Sequence, residues 1–398
     1  MQRENKMCSI APAMRISNVN EYYFSLKLKE IAAMNLAGKQ VINLGIGSPD
    51  LPPPVQVIET ICRHAMQTDE HGYQPYIGIP ELRRAFSAWY KTWYKVETNP
   101  DTEIQPLIGS KEGILHISMT FLNPGDGVLI PNPGYPTYSS VAHLLGARLI
   151  SYDLKEESGW YPDFEALEHT DLSGVKLMWV NYPNMPTGAD ASRELFERLV
   201  AFGRKHSIVI VNDNPYSFIL NDKPQSILSI PGAKDICIEM NSLSKSHNMS
   251  GWRLAMLVSN VQFVQWILKV KSNIDSGQFK PMQYAAATAL KATKEWYDGM
   301  NHVYRNRREL AGRIMHALHC RYDENQVGMF LWGKIPDESG NAGELADKIL
   351  YEANVFITPG FIFGSRGERY VRISLCCRKE ILEEALNRIQ TQLNNKQS

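Results

Sequence analysis

At 398 residues the chain is longer than one typical hydrophobic core organises, so two domains are expected. Its 42 basic and 42 acidic side chains cancel, which removes the bulk attraction that draws a protein to nucleic acid or anionic lipid and leaves small molecules as the expected partners. The six cysteines, Cys376 and Cys377 adjacent among them, show neither a C-x-x-C pair nor metal-ligand spacing and are expected as reduced thiols in the cytoplasm; Arg3, Glu4 and Lys6 open a terminus with no apolar run of signal-peptide or membrane-span length.

In chain order, Tyr22, Tyr23 and Phe24 form an aromatic cluster that suits either an active-site mouth or the packing of a small domain. A glycine-rich loop runs from Leu44 to Asp50 around Gly47, and Tyr73 opens a second loop that ends at Arg83. Gly109 to Gly113 precede an apolar run, Ile114 to Leu122, with helical spacing. The free amides around Ser110 and Lys111 then sit at a helix N-terminus, where they either hold an anion or simply cap the helix. Val128 to Ile130 read as a strand that ends in Asn132-Pro133-Gly134-Tyr135-Pro136, and Leu177 to Val180 as another that ends in a Pro/Asn/Gly loop reaching Gly188. Leu195, Leu199 and Phe202 share one face of a helix, after which Val209 to Val211 form a short buried strand closing on Asp213 and Tyr216.

Alternation of this kind between about residues 103 and 260 predicts a mostly parallel sheet covered by helices, an α/β large domain of three layers. The polar candidates fall at the C-terminal ends of its strands, where open α/β sheets bind ligands. From Arg308 onward, Tyr370 to Leu375 alternate as a strand, and Ile381, Leu382, Ala385, Ile389 and Leu393 form the stripe of a final amphipathic helix. This region, with the residues before about 46, is expected to form a small α+β domain. The expected division is 1–46 as N-terminal arm and part of the small domain, 47–294 as the large domain and 295–398 as the small domain. The tail Asn394 to Ser398 reads as frayed.

Asn241 to Arg253 place Lys245 among small hydroxyls with an arginine eight residues on. A phosphorylated aldehyde such as pyridoxal phosphate needs an amine for a Schiff base, and hydroxyls with a bidentate guanidinium for its phosphate. Lys245 can supply the first, and Ser242, Ser244 and Arg253 the second; a solvated Lys/Arg loop is the plain alternative. Asp213 can then bond the pyridine nitrogen and keep it protonated, which makes the ring an electron sink. Tyr216 would reach the ring's 3-oxygen. Taken alone, Asp213 also suits a helix cap or a turn.

Tyr182-Pro183-Asn184-Met185-Pro186-Thr187-Gly188 resembles the [N/Y]-P-x-N-P-T-G motif of the class I/II aminotransferases, enzymes of pyridoxal phosphate fold type I. It departs at Met185, where the family carries the asparagine that donates to the 3-oxygen. Either Tyr216 holds that oxygen alone or Asn184 turns in to replace the missing amide. The resemblance runs from about Ile42 to Leu375. It implies that Gly47 meets the substrate carboxylate, that Tyr73 crosses a homodimer interface to a neighbour's phosphate, that Tyr135 stacks on the cofactor rather than merely packing, and that Arg372 clamps the substrate α-carboxylate. An arginine fork suits that clamp because it binds both oxygens at once.

The expected activity is transfer of an amino group from an amino acid to a 2-oxo acid by a ping-pong mechanism, with Lys245, Asp213 and Tyr216 as the catalytic set and Lys245 moving the proton between the substrate Cα and the cofactor's C4′. A C–S β-lyase or decarboxylase would use the same anchors. A non-enzymatic regulator on the same fold is the less expected alternative, since such regulators carry an added DNA-binding region, the stretch before Gly45 is short and the net charge is zero. Asn273 to Phe279 resemble a segment of aminotransferases that handle diaminopimelate, alanine or glutamine-like substrates, without selecting among them.

Overall fold

A computed structural model describes residues 10–16 and 23–394. The positions Arg3, Glu4, Lys6, Tyr22 and Asn395 to Ser398 lie outside the described residues, and Asn394 ends the last helix. The strands are β1 (Ile42–Asn43), β2 (Ile104–Leu107), β3 (Gly127–Asn132), β4 (Arg148–Asp153), β5 (Val175–Val180), β6 (Val209–Asp213), β7 (Cys237–Ser242), β8 (Ala255–Val258), β9 (Phe330–Lys334), β10 (Val355–Phe356), β11 (Thr358–Pro359) and β12 (Tyr370–Ser374).

Seven of them form one sheet in the order β2-β8-β7-β6-β5-β3-β4, in which every pairing is parallel except the two made by β8. Its central strands are apolar on both faces, the composition that a parallel sheet needs when helices cover it on either side. Alternate side chains accordingly enter different cores. Met178, Val180 and Ile210 pack on one face with Leu82 and Phe86 of the helix Pro80–Tyr94 and Leu195 and Leu199 of the helix Arg193–His206. Leu177, Trp179, Val209 and Val211 pack on the other with Ile114 and Ile117 of the helix Ser110–Phe121, Tyr138 of the helix Pro136–Leu145 and Ile267 of the helix Val261–Lys271. These are the three layers expected.

The rest is a smaller α+β assembly. Antiparallel β11, β12 and β9 form one sheet, and β1 pairs in parallel with β10, so residues near 42 join residues near 355. The helix Lys294–Ala317 packs against the final helix Lys379–Asn394, whose Leu382, Ala385, Leu386 and Ile389 are buried. Ile381 and Leu393 of the expected stripe sit at its half-buried margin, and Leu386 lies inside it. No described helix is long and apolar enough to cross a membrane, and Cys62, Cys237, Cys320, Cys376 and Cys377 are free thiols.

Candidate active site

Strands β5, β6 and β7 run in register and deliver Asn181, Asp213 and Ser242 to the same end of the sheet. The small assembly closes over that end and leaves a cavity of about 490 Å³. Its lining includes Gly47, Ser110, Lys111, Tyr135, Met185, Asp213, Tyr216, Ser242, Ser244, Lys245, Arg253 and Arg372. Among the sequence candidates, Asn184 and Tyr73 are not in that lining.

Asp213 ends β6 with a buried carboxylate. Its Oδ2 accepts a hydrogen bond from the Tyr138 hydroxyl at 3.0 Å, and its Oδ1 is buried with no partner. Burial pushes this carboxyl up from 3.8 to about 6, against the pull of the Tyr138 bond. Tyr138 is held by stacking on Trp179 at 4.8 Å and by an edge contact with Tyr135 at 5.6 Å. Burial likewise raises the Tyr216 hydroxyl.

Lys245 follows β7 in the short helix Leu243–Ser246, which Ser242 caps by accepting from the Ser244 amide at 3.1 Å. The Lys245 ammonium donates to the Gly47 carbonyl. Burial lowers its pKa; the Cys376 thiol opposes that shift, and the Arg372 and Arg253 charges add to it.

Beside this helix, Gly109 caps the helix Ser110–Phe121 with φ +79°, and a Cβ there would lie 2.0 Å from Arg253 Nη2. Glycine is required both by the backbone and by the guanidinium. The helix N-terminus, Arg253, Ser242, Ser244 and a buried Ser110 Oγ without a partner thus converge on one cavity. Behind it, Lys271 bridges Glu112 at 2.8 Å and Asp275 at 2.7 Å while His116 meets Glu112, tying the segment around Asp275 to this helix.

On the small-assembly side, β12 carries the buried Arg372, which donates from Nη2 to the Gly45 carbonyl at 2.9 Å and brings Nη1 within 3.3 Å of Met185 Sδ. The loop holding Gly47 is anchored by Ser374, whose amide donates to the Leu44 carbonyl and whose hydroxyl donates to the Ile46 carbonyl, and by the Arg307–Asp50 pair at 2.6 Å.

Asn184 does not turn inward. Its Oδ1 accepts from the Thr187 hydroxyl at 2.7 Å and its Nδ2 donates to the Asn181 carbonyl at 3.1 Å, which commits the amide to its own loop. The amide in the cavity wall is Asn181, which bonds the Asp213 carbonyl at 2.5 Å and the Met185 amide at 2.8 Å. Sequence reasoning passed over Asn181 and Tyr138. Asn181 heads the very loop whose motif was matched, and Tyr138 lies three residues after Tyr135, one helical turn on, so both carried a local signal. Tyr23 packs on Phe361, whereas Phe24 reaches the cavity and also packs on Phe356, so both readings of that cluster hold in part. Tyr73 is 95% exposed on the surface.

Residues 39–389 match the model of the family described as aminotransferase class I and II. The LL-diaminopimelate aminotransferase of Aquifex aeolicus is 40% identical over 355 residues, 89% of this chain and 92% of that one. That of Oleidesulfovibrio alaskensis is 39% identical over 388 residues, 96% of this chain and 99% of that one. Among solved structures, substrate-bound BacF from Bacillus subtilis superposes with a TM-score of 0.91 at 35% identity, covering 96% of this chain and 98% of that one. The aspartate aminotransferase of Thermotoga maritima does so at 0.88 with 28% identity, covering 96% and 100%.

Proposed function

We propose that this chain, which belongs to the class I and II aminotransferases, moves an amino group from an amino acid to a 2-oxo acid in ping-pong order and that the cavity carries this out with pyridoxal phosphate. Relatives matched over nearly the whole chain are named aminotransferases, which favours this reading over the lyase, decarboxylase and regulator alternatives. When bound, pyridoxal phosphate supplies an aldehyde carbon that an amine can hold and a cationic ring that draws off the electron pair released at the substrate Cα.

The residues fit such a group. Arg253, Ser242, Ser244, Ser110 and the amides at the start of the helix Ser110–Phe121, with Lys111 beside them, would grip the phosphate dianion. Tyr135 would cover the ring, and Tyr216 would reach the 3-oxygen without the amide that Met185 replaces. The observation that carries the proposal is the buried, unpartnered Asp213 Oδ1 in the same cavity as Lys245. A carboxylate left so costs free energy until a cation meets it, and a protonated pyridine nitrogen is such a cation.

Lys245 Nζ would hold the aldehyde carbon, and once an incoming amine takes its place it would carry the proton away from the substrate Cα. Burial lowers its pKa, which favours the neutral amine that this task needs. Arg372 would fix the substrate α-carboxylate with the Gly47 backbone alongside. Positioning of this kind contributes on the order of 7 kcal/mol or more to such reactions. We further propose a homodimer in which Tyr73 serves the neighbour's phosphate, a division of the chain at residues 46 and 294, and a cytoplasmic location in keeping with the free thiols.

Replacing Lys245 with alanine tests the core of this proposal. Turnover should fall by at least about 10³-fold, the scale of a lost proton-transfer group. Borohydride should tag wild-type protein on the peptide containing Lys245; a tag on another lysine refutes the assignment.

A further inference from the structure

We infer that Glu239, a buried carboxylate on the face of the large sheet turned away from Asp213, is a positioning residue that aims Asp213 at the pyridine nitrogen of the cofactor. This deepens the proposed function and rests on Asp213 being the partner of that nitrogen.

Successive side chains of a strand point to opposite faces of its sheet. On β6, Ile210 enters the core that holds Leu82 and Phe86, and Val211 enters the opposite one. Asn212 and Asn214 therefore flank Asp213 from the reverse face. Glu239 is fully buried there and stands beside Asn212 in the register of β6 and β7. Its Oε2 accepts from Asn212 Nδ2 at 3.0 Å, from the Ile227 amide at 3.1 Å and from Asn214 Nδ2 at 3.5 Å. Its Oε1 accepts from the Tyr90 hydroxyl at 3.0 Å and the Ser226 hydroxyl at 2.6 Å. One carboxylate holds the residues on both sides of Asp213.

The hold extends to the loops around the site. Asn212 Oδ1 accepts from the Tyr182 amide at 3.0 Å and the adjacent Asn181 donates to the Asp213 carbonyl, so the loop after β5 is keyed to β6 at two successive residues. The Asn214 amide donates to the Met240 carbonyl at 2.8 Å, and its Oδ1 accepts from the Ser217 hydroxyl at 2.6 Å, in the turn that carries Tyr216. On the cavity face the Tyr138 hydroxyl meets Asp213 Oδ2, which leaves Oδ1 for the ring. Where Oδ1 points follows from the backbone that Asn212 and Asn214 fix, and a misplacement of about 1 Å at a reacting group costs on the order of a hundredfold in rate. Glutamine at position 239 can keep the arrangement. Its Oε1 would take the Asn212 and Ile227 donors, and its amide would face the Tyr90 and Ser226 hydroxyls, which can turn to accept. Leucine accepts none of them, and leucine in place of Asn212 cuts the same link one residue from Asp213.

Holoenzyme loaded with pyridoxal phosphate labelled at the ring nitrogen reports this contact by NMR, because the nitrogen shift separates the protonated ring from the neutral one. Wild type and Glu239→Gln should both show the protonated form, with kcat values within about threefold of each other. Glu239→Leu and Asn212→Leu should move the signal toward the neutral form and lower kcat by about ten- to a hundredfold with KM little changed. A loss of stability alone would move the urea midpoint and leave the nitrogen signal where it was. If Glu239→Leu does not fold, Asn212→Leu decides the matter. A protonated nitrogen retained in Asn212→Leu, or in folded Glu239→Leu, overturns the inference and leaves the aminotransferase intact. A signal in Glu239→Gln as neutral as in the leucine variants also overturns it, since the charge of Glu239 would then act rather than its hold on Asn212 and Asn214. A neutral nitrogen in wild type removes the Asp213 reading and this inference with it.

Discussion

Asp213 is the residue whose chemistry the structure defines most closely. Its carboxyl is raised from 3.8 to about 6 because burial disfavours the charge. In the protein stripped of cofactor, the folded state therefore binds this proton more tightly than the unfolded chain does. The associated stability is present below about pH 4 and is lost as pH rises through about 6, and a shift of roughly two units is worth about 3 kcal/mol. Urea titrations of cofactor-free protein at pH 4 and pH 7 should show this loss in wild type, and Asp213→Asn should flatten it; an unchanged slope in the variant would assign the effect to another group. The Tyr138 hydroxyl donates to the carboxylate and pulls its pKa down. Tyr138→Phe should accordingly move the window to higher pH, and it should lower kcat by a few-fold to about tenfold with KM little changed. A proportional rise in KM instead would show that Tyr138 acts on substrate binding.

At the scale of elements, the start of the helix Ser110–Phe121 is the most constrained junction in the site. Its cap, Gly109, combines a left-handed φ of +79° with a space closed by Arg253 Nη2 at 2.0 Å. An alanine there must shift the guanidinium and adopt a backbone conformation that costs on the order of 1–3 kcal/mol. Gly109→Ala should weaken pyridoxal phosphate binding by roughly ten- to a hundredfold while leaving the circular dichroism of the protein unchanged, as followed by fluorescence titration of cofactor into apoprotein. Wild-type affinity in that variant would show that the anion is held elsewhere. The same helix is braced from behind. Burial opposes the ionisation of Glu112, but its bonds with His116, Asp275 and Lys271 prevail and hold it down at about 2. Burial and the neighbouring Glu112 push the Asp275 carboxyl up, so of these two carboxyls Glu112 is the one held charged.

The whole molecule leaves an apolar surface to be accounted for. Tyr73 is 95% exposed, Ile274 48% and Phe279 41%, and an isolated bridge between Gln74 and Gly277 draws their two segments together. Exposed apolar side chains on two segments drawn together in this way suit an interface. In a two-fold dimer it would be covered by its own copy, and Tyr73 would enter the neighbour's site. Mixing Lys245→Ala with Tyr73→Ala chains should then restore activity, because one site of each mixed dimer carries both defects and the other carries neither. The mixture stays inactive if Tyr73 serves its own chain. The comparison requires that Tyr73→Ala alone is impaired and that mixed dimers are shown to form.

The strands, their helical cover and the segments carrying Asp213 and Lys245 were legible from the sequence because each is written in consecutive residues: a β-branched run, a glycine before an apolar period, a lysine among serines. Short-range spacing decides such features before the chain closes on itself. Local order could not decide which amide faces the cavity, because Asn181 and Asn184 lie three residues apart in one loop and only their bonds to Asp213 and to Thr187 separate them. Nor could it bring the Tyr138 hydroxyl to a carboxylate 75 positions away. The rings around Arg372 come from the first described helix, from β9 and from the turn that contains Phe363. These contacts exist only where β12 packs between β9 and β11 and closes the small assembly over the end of the large sheet. The reaction class follows from short motifs that survive in one dimension, whereas the surroundings of Arg372 are set by packing between elements that are far apart in sequence.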